Sequence, residues 1–388
     1  MSSMRTRIAL LAMIAATSVT FAACGSSDDD GAPASSAAAT TAAPATTAET
    51  ATAPAETPAA VAAALERPTA IGIDEPLRGS IARDKEIWWI QCSSPACVAL
   101  TKPLKAATDA VGWKLRVVNA GLTPETVKAA WDQAAKGDPD AVIGSGFSRA
   151  LYEPELKTLA DRGVPVLNMT TADPPENGYA ATQNYGPDFL AAGERLGAYV
   201  LERGGDDVHA VTMTVSAFAN LGYVARGFTA AIERGCPDCT VEEETLPATS
   251  IGNDLPTRVA TYLQAHPDVN WVYLGFADMM VGVPPALASA GVSRDVRFVT
   301  LDSLPTTARY MADGNYLVAA EGSPKPEMMW RHVDFLLRHF NREPTEPATA
   351  HTLPAWTLTA ETLPSTTEDF PLVEDYEAQY RALWGVGR

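Results

Sequence analysis

The sequence predicts an α/β fold made of two lobes of parallel sheet joined by a hinge, and three observations carry that prediction. Beyond residue 80, short apolar runs alternate with amphipathic stretches in strand–helix order almost to the end of the chain. The alternation breaks at Gln183-Asn184-Tyr185-Gly186 and then restarts. The folding part is also longer than one hydrophobic core of ordinary size accommodates.

The first residues do not belong to that fold. Arg5 and Arg7 precede an apolar run from Ile8 to Val19 that ends in Phe21-Ala22-Ala23-Cys24. A basic start, an apolar centre and small residues before a cleavage point make a secretory signal, so residues 1–23 are expected to be removed. The run is about half of the ~20 residues that a membrane-spanning helix needs. Cys24, directly after two alanines, resembles the cysteine of a bacterial lipobox, which implies a lipid-bearing first residue that anchors the chain at the membrane surface. Phe21 stands where that pattern has a branched aliphatic residue, so cleavage without lipidation is the alternative. Ala, Thr, Pro, Ser and acids then dominate, including Asp28-Asp29-Asp30, with no aromatic residue to seed a core. Such a composition cannot offset chain entropy, and 24–80 is expected to be a disordered tether.

Composition bounds the partners. The chain carries 47 acids against 29 Lys and Arg, a formal net charge of -18, so a basic face for nucleic acid is not expected. Besides Cys24, the cysteines form two close pairs, Cys92/Cys97 and Cys236/Cys239, which in an exported chain predict two local disulfides. Cys236-Pro237-Asp238-Cys239 has thioredoxin-like spacing, but it follows a helical stretch and precedes a strand-like one, whereas a redox pair opens a helix. The pairs lie too far apart in sequence for a four-cysteine zinc site, and neither metal nor cofactor is expected.

The elements follow in order. Strand-like Glu86–Gln91 leads to a helix near Ala96–Val111, strand Lys114–Asn119, and a helix over Glu125–Lys136 started by Thr123-Pro124-Glu125, a cap, a first-turn proline and an early acid. Next come strand Ala141–Gly144, helix Tyr152–Arg162 stopped by Gly163, and strand Val164–Met169. The second series runs from helix Pro187–Glu202 through strand Val208–Val215, helix Leu221–Arg234, strand Val241–Thr245, helix Leu255–Ala265, strand Trp271–Leu274, helix Met279–Ala290 and strand Arg297–Leu301, and the segments Tyr316–Ala320 and Lys325–Phe340 complete the second lobe and return to the first. The expected division is 81–182 plus 323–341 for the first lobe and 183–322 plus 342–388 for the second.

Several of these residues resemble a known family. Asp278-Met279-Met280-Val281-Gly282 near a strand end, Ala290-Gly291, Val299-Thr300-Leu301-Asp302 and Ala312-Asp313-Gly314 occur in the order found in type I periplasmic binding proteins, the sugar-binding branch in particular. Arg226-Gly227-Phe228 on a helix, Gly322-Ser323-Pro324 at a crossover and the ending Tyr380-Arg381-Ala382-Leu383-Trp384-Gly385 extend the resemblance over roughly Ile81 to Trp384. It implies two Rossmann-like lobes joined by three crossing segments, hinge closure on a small ligand, and delivery of that ligand to an ABC permease by a monomeric receptor outside the cytoplasmic membrane. Arg226 sits closer to the helix glycine than in the sugar pattern.

Open parallel sheets bind ligands outside the carboxyl ends of their strands, so the strand ends nominate a site. They give Ser93, Ser94, Ser145, Phe147, Thr170 and Thr171 in the first lobe, and Phe218, Asn220, Phe276, Asp278, Asp302 and Glu321 in the second. Carboxylates accept from vicinal hydroxyls while a ring covers an apolar sugar face, so the mixture suits a sugar or polyol. The resemblance aligns Asp302 with the family's ligand carboxylate; the bland reading is a helix cap at Leu304. Phe147 and Phe276 also read as core residues, and Asp278 as a cap. An amino acid would require a fixed cation such as Arg149 or Arg226, and a ligand-sensing receptor coupled to a sensor kinase is the alternative function.

No catalytic constellation appears. Gly144-Ser145-Gly146 lacks the first glycine of a nucleophile elbow, and Arg149 replaces the third glycine of a dinucleotide fingerprint. His209, His266, His332, His339 and His351 form no zinc-protease pair, and His332 and His339 are expected on a solvated helix face. The chain is expected not to be an enzyme.

Overall fold

A computed structural model describes residues 58–216, 218–293, 295–350 and 353–387; the expected signal segment, Cys24 and the tether up to residue 57 lie outside them. The chain opens with α1 (Pro58–Ala64), then β1 (Glu86–Cys92), α2 (Pro95–Ala110), β2 (Lys114–Gly121), α3 (Pro124–Lys136), β3 (Ala141–Gly144), α4 (Glu153–Asp161), β4 (Val166–Met169) and β5 (Ala181–Gln183). Next are α5 (Gly186–Gly204), β6 (His209–Thr214), α6 (Ala219–Gly235), β7 (Thr240–Thr245), α7 (Leu255–Ala265), β8 (Trp271–Phe276), α8 (Ala277–Met280), α9 (Val283–Ala290), β9 (Arg297–Leu301), α10 (Pro305–Ala312) and β10 (Leu317–Glu321). The chain returns through α11 (Lys325–Asn341), α12 (Glu346–Ala350), β11 (Thr357–Thr359) and α13 (Tyr376–Trp384).

The strands form two sheets, ordered β2-β1-β3-β4-β5 and β11-β10-β9-β8-β6-β7. Every pairing is parallel except β10 with β11. Parallel sheets are covered on both faces, and β1 shows why its run is continuously apolar. Ile87 and Trp89 share a core with Leu100 and Leu104 of α2 and Met328, Trp330 and Val333 of α11, while Trp88 and Ile90 join Val127 and Trp131 of α3 and Leu156 and Leu159 of α4. In the second lobe Val211, Val272 and Phe298 pack with Leu196 of α5, Phe228 of α6 and Val259 of α7. Helices α5 and α6 approach so closely that a Cβ on Gly193 or Gly227 would lie 2.0 Å from the carbonyl oxygen of Val224 or Leu190.

Local chemistry sets the boundaries that the pattern anticipated. Thr123 and Thr126 cap the start of α3 reciprocally, with Pro124 in the first turn. Cys236 and Cys239, and likewise Cys92 and Cys97, are bridged as disulfides, the first pair lying between α6 and β7. The expected single helix over 279–290 is two: Gly282 turns left-handed at φ 83°, and Pro284 and Pro285 remove donors that a continuous helix would need.

The structure differs from expectation in three further places. Residues 58–79 are packed as a strap, not a tether. Val61 enters the second core, Arg67 donates to the carbonyls of Pro371 and Leu372, and Ile71 and Ile73 enter the first core. The strap ends with Leu77 N–H on Leu383 and with Arg78 and Gly79 N–H on Glu343. Apolar residues this sparse show no periodicity, and only partners distant in sequence, α5 for Val61 and the first core for Ile71 and Ile73, give them a core. Segment 342–388 is also shared between lobes. Strand β11 extends the second sheet, whereas Tyr376, Tyr380, Leu383 and Trp384 join the first core, Trp384 stacked on Trp330 at 5.1 Å. Finally, His332 is fully buried on α11, because α2 and α13 cover faces that a lone helix would expose. Among the described residues the chain crosses between cores within the strap, between Val61 and Ile71, then after β5, after β10 and after α12, and again between β11 and α13.

Candidate ligand site

Both principal crossings leave from carboxyl ends of strands: Asn184 and Tyr185 connect β5 to α5, and Gly322-Ser323-Pro324 connects β10 to α11. The carboxyl edges of both sheets are thereby brought to one junction. Two surface depressions among the described residues, of about 220 and 390 Å³, lie elsewhere, between α3 and α4 and beside α7 and α9.

On the first lobe, the nominated hydroxyls are largely engaged in shaping the strand ends. Ser93 is exposed and donates to Asn119 Oδ1 at 2.8 Å, and Ser94 Oγ caps α2 by accepting from Cys97 N–H at 3.3 Å. Ser145 Oγ accepts from Cys92 N–H at 3.0 Å, tying β3 to β1. Phe147 is partly buried against the first lobe's outer core, and its carbonyl receives Tyr152 Oη–H and Asn168 Nδ2–H. Thr170 takes a left-handed backbone, φ 51°, at the end of β4, and its N–H reaches the carbonyl of Gln183. Thr171 is buried and accepts from Asp173 N–H.

On the second lobe the aromatic and acidic residues converge. Phe218, exposed at the start of α6, meets Phe276 edge to face at 5.6 Å. Asn220 is half-buried one residue into the same helix. Asp278 lies in the first turn of α8; burial pushes its carboxyl up, Lys325 pulls it down and Asp302 pushes it up further. Asp302 follows β9 with a left-handed φ of 61°, donates its N–H to the Glu321 carbonyl, and pairs with Lys325 Nζ at 3.0 Å. It does not cap α10, whose Leu304 N–H is taken by Thr307 Oγ1. Glu321 is enclosed: Oε1 accepts from Arg195 at 2.5 and 2.8 Å and Oε2 from Thr357 at 2.9 Å. Its carboxylate braces the lobe and offers a ligand little access.

The two cations weighed for a ligand carboxylate are placed otherwise. Arg149 pairs with Glu176, and Arg226 is exposed over the Tyr223 ring at 4.2 Å. The strand-end reading missed Lys325, because it begins a helix, and Gln183, because a three-residue strand is too short for alternation to register. The Gln183 side chain is 5% exposed, with neither amide atom bonded among the described residues.

The description "periplasmic binding protein domain" fits residues 83–340, more than half of the chain. Three solved structures show the same fold. The chain is similar to GanP, a glucose-galactose binding protein from Geobacillus stearothermophilus, at 20% identity and a TM-score of 0.65, covering 73% of this chain and 100% of that one. It is similar to an ABC transporter solute binding protein from Mycobacterium smegmatis with bound glycerol, at 23% identity and 0.61, over 75% and 100%. A solute binding protein from Agrobacterium vitis with bound allitol gives 17% identity and 0.62, over 72% and 97%. A search of curated protein sequences finds no match. Two parallel sheets, crossings at their carboxyl ends and a family match across both lobes lead to one conclusion: this chain belongs to the type I periplasmic binding proteins.

Proposed function

We propose that the protein is an extracytoplasmic solute-binding lipoprotein that captures a sugar or polyol between its lobes and delivers it to an ABC permease. The observation that carries the reading is the grouping of Phe218 and Phe276 beside Asp278 and Asp302 at the carboxyl edge of the second sheet. One ring of the edge-to-face pair offers its face to an apolar surface while the other buttresses it, and carboxylates accept from hydroxyls, so both features of a polyol's surface have a counterpart. Solved relatives with bound glycerol and allitol support the same class. Closure is a population shift: the ligand contacts both lobes in the closed form and one in the open form, so binding favours closure. The secretory start and Cys24 support an anchored position outside the cytoplasmic membrane, and no described helix is long and apolar enough to cross a membrane.

The test is a thermal-shift screen of the full-length chain against sugars, polyols, amino acids and nucleosides. A ligand at 100 times its Kd adds about 2.7 kcal/mol of stability. A sugar or polyol that raises the melting temperature of the native chain, with the shift lost in Asp302→Ala, supports the proposal. Stabilisation by amino acids alone rejects the ligand class.

A further inference from the structure

Lys325 occupies a position that local electrostatics disfavours. It is the first residue of α11, a helix of 17 residues, where the aligned peptide dipoles present their positive end and anions are preferred. A residue that breaks a local rule beside a candidate site has a compensating partner, and here it is Asp302, whose Oδ2 lies 3.0 Å from Nζ. Both side chains are about a quarter exposed, at 28% and 24%, so the pair is open on one side. The Asp302 main chain is held in a left-handed turn by its N–H on the Glu321 carbonyl, which fixes where its side chain starts. Asp278 lies close enough for its carboxyl to feel both charges. Arg195 and Arg149, two other cations near the junction, pair with Glu321 and Glu176.

We propose that Lys325 is the specificity-determining residue of the cleft: it offsets the charge of Asp302 beside Asp278 and closes the site to cationic ligands such as protonated amino sugars, while admitting neutral polyols. The proposal rests on the sugar-or-polyol reading. Without Lys325 the two carboxylates form an ammonium site. With it, they form a mixed one. Asp302 Oδ1 is an acceptor and the remaining N–H bonds of Nζ are donors, side by side. A vicinal diol satisfies both, one hydroxyl donating to Asp302 and the other accepting from Lys325. An ammonium group satisfies only the acceptor, and Nζ repels it.

Calorimetric titration tests this with hexoses, pentoses and their polyols, and with the matching amino sugars. Buffer at about pH 6 keeps the amines protonated, since an amino group of this kind titrates at roughly 7.7. The full-length chain is expected to prefer each hydroxyl parent over its amino analogue. Lys325→Met is expected to shift that ratio toward the amine by about tenfold or more, the change that 1.4 kcal/mol of removed repulsion gives. Lys325→Arg, which keeps the charge, is expected to retain the native ratio. A ratio unchanged in a folded Lys325→Met protein overturns the inference and leaves the receptor reading intact. A native chain that binds no sugar or polyol overturns both.

Discussion

Arg195 on α5 and Glu321 at the end of β10, 126 residues apart, share one carboxylate oxygen through two guanidinium nitrogens at 2.8 and 2.5 Å. Helix α5 follows the first crossing and Glu321 precedes the second, while Thr357 of β11, past the third, holds the other oxygen. One carboxylate therefore fixes three chain passages where the lobes separate. Removing one partner of a buried pair is costly because the other loses its compensation. Glu321→Ala is expected to lower unfolding free energy by about 3 kcal/mol in urea titrations. A loss below about 1 kcal/mol, the range of a surface pair, would contradict the bracing role.

Glu327 and His332 on α11 give stability two opposing pH dependences. Burial raises the Glu327 carboxyl from 4.5 to about 7, although Oε1 accepts from Val373 N–H. The folded state thus keeps a proton that the unfolded chain releases. This contribution is complete below about 4.5 and is lost as pH rises toward 7, at most about 3 kcal/mol in all. Burial, with the nearby Arg331, depresses His332 from 6.5 to about 3, so its contribution is present above 6.5 and falls away toward pH 3. Urea midpoints between about pH 3.5 and 8 separate the two. Glu327→Gln should gain on the native chain as pH rises from about 4.5 to 7, and His332→Gln should flatten the acid limb.

Helices α5 and α6 tolerate glycine alone at their closest approach. Gly227→Ala directs a methyl group into the Leu190 carbonyl, and the expected cost is about 3 kcal/mol, measured as a lower urea midpoint. Gly222→Ala in the same helix meets nothing nearer than Arg226 Nη1 at 3.9 Å, so helix propensity should make it stabilising by about 0.8 kcal/mol. Equal effects at both positions would show that propensity, not helix spacing, decides.

The strap makes the amino-terminal boundary of the folded body experimentally visible. Ile71 is 1% exposed, its N–H donates to Gln379 and its carbonyl accepts from Arg331. Ile71→Ala is expected to cost about 2–4 kcal/mol, as for other buried aliphatic truncations. A chain starting at residue 81 should melt well below one starting at residue 58. Identical melting curves would return the strap to the tether.

The alternating pattern by itself determined most of the fold. Strands at Ala141–Gly144 and Arg297–Leu301 and the helix at Leu255–Ala265 fall where apolar periodicity places them, because a parallel strand buried on both faces and a helix with one apolar stripe leave different periods in the sequence. Close cysteine pairing was legible for the same local reason. Tertiary structure decided what depends on distant partners. Val61 becomes a core residue through α1 packing on α5, Ile71 through Arg331 and Gln379, His332 is buried because α2 and α13 cover α11, and Glu321 is enclosed by Arg195 and Thr357. Acids and aromatics from the second lobe's strand ends gather in space, but strand periodicity has no means of bringing Lys325, the first residue of a helix, to Asp302. Periodicity records what a segment buries; which charge meets which is fixed only when the crossings fold the sheets together.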